Sequence, residues 1–258
     1  MALTEQSLFL YGIEIPDDET ALDFKGESGG PELQASLTPN FYTLNQLATE
    51  IETKMNAADP DHIYTVTIDR TVSANTQNRI TITSSSAFFQ LLFLTGSRAD
   101  ESCAPALGYN VADYTGATFY QNAETLGERL IPELVGYNYQ PPELNKRQVG
   151  VVNVAASGAK DTIIFSTQQF IDVKFMYEPE AKCLTEWVPF WNWATQEKPF
   201  EFVPEWLTSP TDTYSVTLES TEADGKGLGF RMPEMLPQFP FQFQTGMIKM
   251  RLTPDGND

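Results

Sequence analysis

Apolar residues recur at Leu44, Leu47, Ala48, Ile51 and Met55, on one side of a 3.6-residue period. The spacing predicts a helix that begins after Thr43. Thr43 is a favoured N-cap, and Gln46 three residues later completes a capping box. Glu50 and Lys54 stand four apart in the favourable order, and the helix is expected to fade over Asn56-Ala57-Ala58-Asp59-Pro60. The period then drops to two. Tyr64, Val66 and Ile68 alternate with Thr65, Thr67 and Asp69, and Ile80 and Ile82 with Thr81 and Thr83. This pattern predicts two half-buried antiparallel strands joined by a polar turn. The apolar run from Ser86 to Leu94 follows a serine triplet that suits helix capping, and it reads as a short helix ended by Gly96. Ser7 to Ile15 is strand-like and stops at Pro16. The polar, glycine-rich stretch 17–31 reads as a long exposed loop or flexible arm. Residues 97–124 read as irregular turns packed against a β-helix-β unit over 35–96.

The second half alternates with a period of two more often. Strands are expected at Gln148–Val154, Asp161–Ser166, Phe170–Tyr177, Phe200–Val203, Tyr214–Leu218 and Met247–Leu252. Glu186–Ala194 holds Trp187, Trp191 and Trp193 and reads as a helical or turn-like plug, with Pro189 tolerable in a first helical turn. Short strands with these turn spacings fit an antiparallel β-sandwich. The expected fold is therefore mainly β, in two parts. Residues 1–140 form a small α+β module with an N-terminal strand and a flexible loop. Residues 141–258 form a β-sandwich-like domain with the tryptophan plug and a Pro/Phe-rich arm from Pro233 to Phe243. Pro141-Pro142 marks the boundary, since consecutive prolines discourage regular structure.

Composition narrows the function more than the fold. An apolar content of 41% is enough for a real core and argues against disorder. The chain has 16 basic and 35 acidic residues, net −19. The two parts carry −13 and −6, so neither hides a basic module. Such a surface repels phosphate, which speaks against direct sequence-specific nucleic-acid binding. No apolar stretch approaches the ~20 residues needed to span a bilayer, and Met1-Ala2-Leu3-Thr4-Glu5 does not read as a secretory leader. Membrane insertion is not expected. Cys103 and Cys183 form no metal or redox spacing and read as two buried thiols.

Candidate chemistry is sparse. His62 is the single histidine and reads as a loop surface position; no serine lies in a nucleophile-elbow pattern. No cofactor, metal or catalytic residue is assigned, and the chain is expected not to be an enzyme. Glu201 and Glu205 beside Trp206 suggest a sugar cleft only superficially; a solvated sheet edge with one aromatic anchor explains them as well. Gly225-Lys226-Gly227-Leu228-Gly229 lacks the spacing of a phosphate loop and reads as a turn. The aromatics carry the remaining signal. Trp187, Trp191, Trp193 and Trp206 suit either a core or an interface hot spot. Phe239 and Phe241 lie in the proline-rich arm, which suits either an extended contact to a neighbour or an internal crossover. These six residues are the interface candidates.

The segments "FYTLNQLATEIETKMNAA", "YTVTIDR", "NRITITSSSAFFQLLFLTG" and "LGYNVADYTGAT", between Phe41 and Tyr120, resemble in their order a module of tailed-phage virion structural proteins. The second half is similar, more loosely, to distal tail and related baseplate domains. The likeness there lies in Thr185–Ala194, "KPFEFVPEW" at 198–206 and "GMIKMRL" at 246–252, with Lys249 and Arg251 in the last strand. The resemblance implies a structural component of a phage tail or baseplate, assembled in the host cytoplasm. It implies a ring or adaptor built by contacts with other copies and with other tail proteins, and no catalytic residue. The stretch 17–31 and the arm 233–243 are the candidate ring contacts. A carbohydrate- or receptor-binding module and a capsid decoration protein are the alternative functions.

Overall fold

Thr43 opens the longest helix among the described residues. Its hydroxyl accepts from the Gln46 amide, and the Gln46 side chain accepts from the Thr43 amide. Two of the orphan donors at the helix start are thereby satisfied. The computed structural model describes residues 7–72, 76–132, 143–154, 160–175, 178–219, 236–239, 242–244 and 248–253. In chain order the first half contains β1 (Leu8–Tyr11), β2 (Ile13–Ile15), β3 (Ala21–Lys25), β4 (Leu33–Ser36), β5 (Asn40–Tyr42), α1 (Leu44–Ala58), β6 (Tyr64–Ile68), β7 (Ile80–Ser84), β8 (Phe89–Leu92), a 3-10 turn (Ala99–Glu101), β9 (Asp113–Ala117), β10 (Phe119–Gln121) and β11 (Arg129–Leu130). The second half adds β12 (Glu143–Val154), β13 (Lys160–Val173) and β14 (Glu178–Pro179). A helical segment follows in three consecutive pieces, α2 (Glu180–Lys182), a π turn (Cys183–Trp187) and α3 (Val188–Ala194). The chain then forms β15 (Phe200–Val203), β16 (Tyr214–Leu218), β17 (Leu236–Phe239), β18 (Gln242–Gln244) and β19 (Ile248–Leu252). The fold is mainly β, and its strand pairs are antiparallel.

One seven-stranded sheet, in the order β11-β1-β15-β16-β19-β13-β12, organises the molecule. The N-terminal strand sits inside it, between β11 and β15, so it belongs with the second half of the chain and not with the module that follows it. Period-two alternation gives this sheet two different faces. Phe9, Phe200, Phe202, Val216 and Met250 enter a core closed by Trp187, Phe190 and Trp191 of the helical segment. Leu10, on the opposite face of β1, enters the other core. That second core lies among α1 and the smaller sheets β4-β3-β8-β9, β10-β7-β6 and β2-β5. The chain passes from one core to the other at Gly12, where a Cβ would collide with the Pro199 carbonyl. Only glycine fits that approach.

Four expectations need correction. The stretch 97–124, expected as irregular turns, contains β9 and β10, which pair with β8 and β7. The stretch 17–31 is not a free arm: Ala21, Leu22, Asp23 and Phe24 are buried in β3, a central strand of its sheet. The run at 86–94 contains a strand, β8, where a helix was expected, because β3 and β9 flank it and satisfy its backbone. Asp161–Ser166 and Phe170–Tyr177 are not separate strands; the chain runs unbroken through Lys160–Val173, and 176–177 lie outside the described residues. The proposed boundary at 132–142 also lies outside them, apart from Pro132. The expected helix, the strand pair β6–β7, the helical plug and strands β15, β16 and β19 are present.

Candidate functional site

Where the two halves meet, β15 places a carboxylate between two phenylalanines. Phe200 and Phe202 point into the aromatic core, so Glu201 points the other way, to the N-terminus of α1. Glu201 is 0% exposed. Its Oε1 accepts from the Asn45 amide at 3.0 Å and its Oε2 lies 2.7 Å from Arg70 Nη2. Arg70 also donates to Asn45 Oδ1 and Asn78 Oδ1, while the Asn45 amide group donates to Thr213. Thr43 and Ser215 share a buried hydroxyl hydrogen bond of 2.8 Å beside them. A carboxylate at a helix N-terminus complements the orphan N–H groups and the positive end of the helix dipole. Buried and engaged on both oxygens, Glu201 ties the halves together and is no part of an open sugar cleft.

A second polar group closes the other end of α1. Asp59 is buried, and its Oδ2 accepts from the Tyr64 hydroxyl at 2.8 Å and lies 3.0 Å from His62 Nδ1; its Oδ1 accepts from the Asp61 amide at 3.1 Å. Burial alone would raise the Asp59 pKa, but the Tyr64, His62 and Asp61 contacts hold it below the ordinary value. Burial, with Asp59 as its acceptor, pushes the Tyr64 hydroxyl well above its usual range. Thus His62 is not a free surface residue but a partner of a helix-end carboxylate. In the third group, Arg98 donates to Asp23 Oδ1 from Nε and Nη2 (2.9 and 2.6 Å), and its amide donates to Oδ2. Each of these charged groups joins elements of the fold. Among the described residues, no set of three or more His, Cys, Asp or Glu side chains is placed to hold a metal ion.

The six interface candidates are dispersed. Trp187 and Trp191 are buried and stacked at 5.7 Å, and Trp187 Nε1 donates to the buried Glu178 carboxylate at 3.0 Å. Trp206 is 8% exposed, in a small cluster with Leu8 and Val203, and offers no open ring face to a sugar. These three are buried in cores of the chain, one of the two readings their sequence allowed. Trp193 is half-buried against Tyr11 and Phe190, with the Lys198 ammonium nearby. Phe239 belongs to β17, whose backbone pairs with β18, and β18 pairs with β14. That part of the supposed arm is therefore held by strands of its own chain. Phe241 lies outside the described residues, as do Pro233 to Met235 and the Gly225–Gly229 turn.

The surface that stands out was not singled out from the sequence. On the sheet β10-β7-β6, the register aligns Thr65, Thr83 and Phe119, then Thr67, Thr81 and Gln121. Ile63 continues that face and pairs with Ser85 through two hydrogen bonds. Over the paired residues of these strands the face carries no charged residue, in a chain of net −19; Asp69 and Arg79 follow at the next register. It presents Ile63 at 69% and Phe119 at 58% exposure, with exposed Phe88 on the following turn. The available signal was phase: Phe119 precedes Tyr120, whose ring is buried, so strand alternation turns Phe119 outward. No protein-family model matches this chain, and no curated protein matches its sequence. No helix among the described residues is long and apolar enough to cross a membrane.

Proposed function

We propose that this chain is a structural component of a phage tail or baseplate, built into a ring or adaptor through contacts with its own copies and with other tail proteins. The resemblance of its capped helix, strand pair and closing strand to such proteins supplies the setting. The observation that carries the assembly reading is the uncharged face of β10-β7-β6. Large exposed apolar side chains on a patch free of charge mark a protein contact more often than a solvent face. An acidic surface elsewhere limits indiscriminate association. The buried carboxylates support the same reading, because Glu201, Asp59 and Asp23 serve the fold. The test is the mass of the purified chain by size-exclusion chromatography with light scattering, alone and with candidate tail partners. A stable oligomer or partner complex is expected, and Phe119→Asp with Ile63→Asp should weaken association at least tenfold without altering the melting temperature by more than a few degrees. A strictly monomeric chain that binds no tail protein, or association indifferent to both substitutions, overturns this reading.

A further inference from the structure

We infer that the β12–β13 ribbon is an arm with which this chain grips a second copy of itself. The inference rests on the self-assembly part of the proposed function and assigns it a surface. Its basis is pairing. β13 pairs with β19 only over Phe170–Val173, whereas its pairing with β12 runs from Glu143↔Asp172 to Val154↔Lys160. From Lys146↔Gln169 outward, β12 and β13 have only each other among the described strands, apart from one register shift at Val149/Gly150. Nine residues of β12 lie in that stretch, about 30 Å of ribbon at ~3.3 Å per residue. A lone two-stranded ribbon is marginal in water. Each edge also leaves alternate N–H and C=O groups without a ladder partner, which is a template for another strand.

Another sheet edge is managed differently. At β6, the Asn56 side chain pairs with both the amide and the carbonyl of Tyr64, and Glu52 accepts from the Val66 amide. Helix α1 thus covers that edge. The sequence of the ribbon selects its partner. Between Lys146 and Gln169 the charges are Lys146, Arg147 and Lys160 against Asp161 alone, a basic stretch in a chain of net −19. The described body presents exposed carboxylates at Asp17, Asp18, Glu27, Asp100 and Glu101. A basic arm meeting an acidic body is complementary between two copies, and two unlike patches are what a head-to-tail ring requires. Nucleic acid is the poorer partner, since the same body repels phosphate.

The full chain and its Lys146→Glu/Arg147→Glu/Lys160→Glu variant are compared by light scattering over a concentration series at low and high salt. Expected is a salt-sensitive wild-type oligomer and a folded variant whose dissociation constant is at least tenfold higher. Hydrogen exchange of the wild-type β12 amides, in the oligomer and after dilution to monomer, needs no variant. Protection present only in the oligomer supports the arm even where the variant fails to fold. An oligomer unaffected by the charge reversal, or β12 amides that exchange equally in both states, overturns the arm and leaves self-assembly standing. A wild-type chain that is monomeric at every concentration overturns both. Assembly abolished by nuclease overturns the arm in favour of a nucleic-acid partner.

Discussion

Asp59 shows how one side chain can carry a pH dependence. Its carboxylate is held below its ordinary pKa of 3.8 in the folded chain, against the opposing effect of burial. A group with a lower pKa folded than unfolded stabilises the native state above the unfolded value and loses that contribution as pH falls through the folded one. Urea midpoints of the wild type should therefore decline as pH drops below about 3.8, and Asp59→Asn should show a flatter decline there and a lower midpoint at neutrality. Parallel profiles for the two proteins would show that Asp59 is not the group responsible. The sequence offered little warning of this site. His62 reads as a loop histidine because nothing local shows the chain folding it back onto Asp59 across Pro60. Glu201 was only half legible: alternation between two core phenylalanines sends it to the opposite face, but it is buried there and not at the solvated edge expected. Its partners Asn45 and Arg70 were not legible, because they come from the other half of the chain.

Among elements, α1 was readable from the sequence down to its buried face of Leu44, Leu47, Ala48, Ile51 and Met55. Cap, period and length are all local signals. Strand β8 was not, because a short apolar run has no period that separates a buried strand from a helix. Its identity comes from β3, a strand hidden in a polar stretch where Asp23 is buried only because Arg98 pairs with it. The second role of α1, covering the edge of β6, leads to a prediction. Asn56→Ala should cost about 1–3 kcal/mol by leaving the Tyr64 backbone groups without their partner. It should also speed exchange of the Tyr64 amide and promote aggregation on heating. Lys54→Ala, which removes a partly exposed ion pair of 3.6 Å with Glu50, should cost no more than about 0.5 kcal/mol. Equal midpoints for the two variants in urea would deny the helix this covering role.

At the scale of the molecule, each core contains one cysteine, Cys103 among the N-terminal elements and Cys183 under the helical segment. Both are buried, and burial pushes both thiols up, Cys183 to about 11. Neither should react with thiol reagents in the native protein. In urea, peptide mass spectrometry should find both labelled across a single transition, because β1 and the Glu201 network bind the cores together. Glu201→Gln should lower that transition by removing a charge from a buried pair, a change worth about 3 kcal/mol. Labelling of Cys183 well before Cys103 in the wild type would instead mark two independent folding units. A boundary near residue 140 looked natural in the sequence because pattern and charge change there. Long-range pairing crosses it, and periodicity has no access to such pairing. The Ser7 hydroxyl donates to the Pro204 carbonyl from 197 positions away, and β1 needs β15 as its neighbour. On a ribosome adding roughly 5–20 residues per second, that separation means a wait of about 10–40 s. For that interval Phe9 lacks its core, whose other members, Leu130 apart, begin at Ile171, whereas Leu10 needs only residues up to Leu126. The large sheet therefore closes late in synthesis, and the aromatic face of its first strand stays uncovered until the tryptophan segment and β15 emerge.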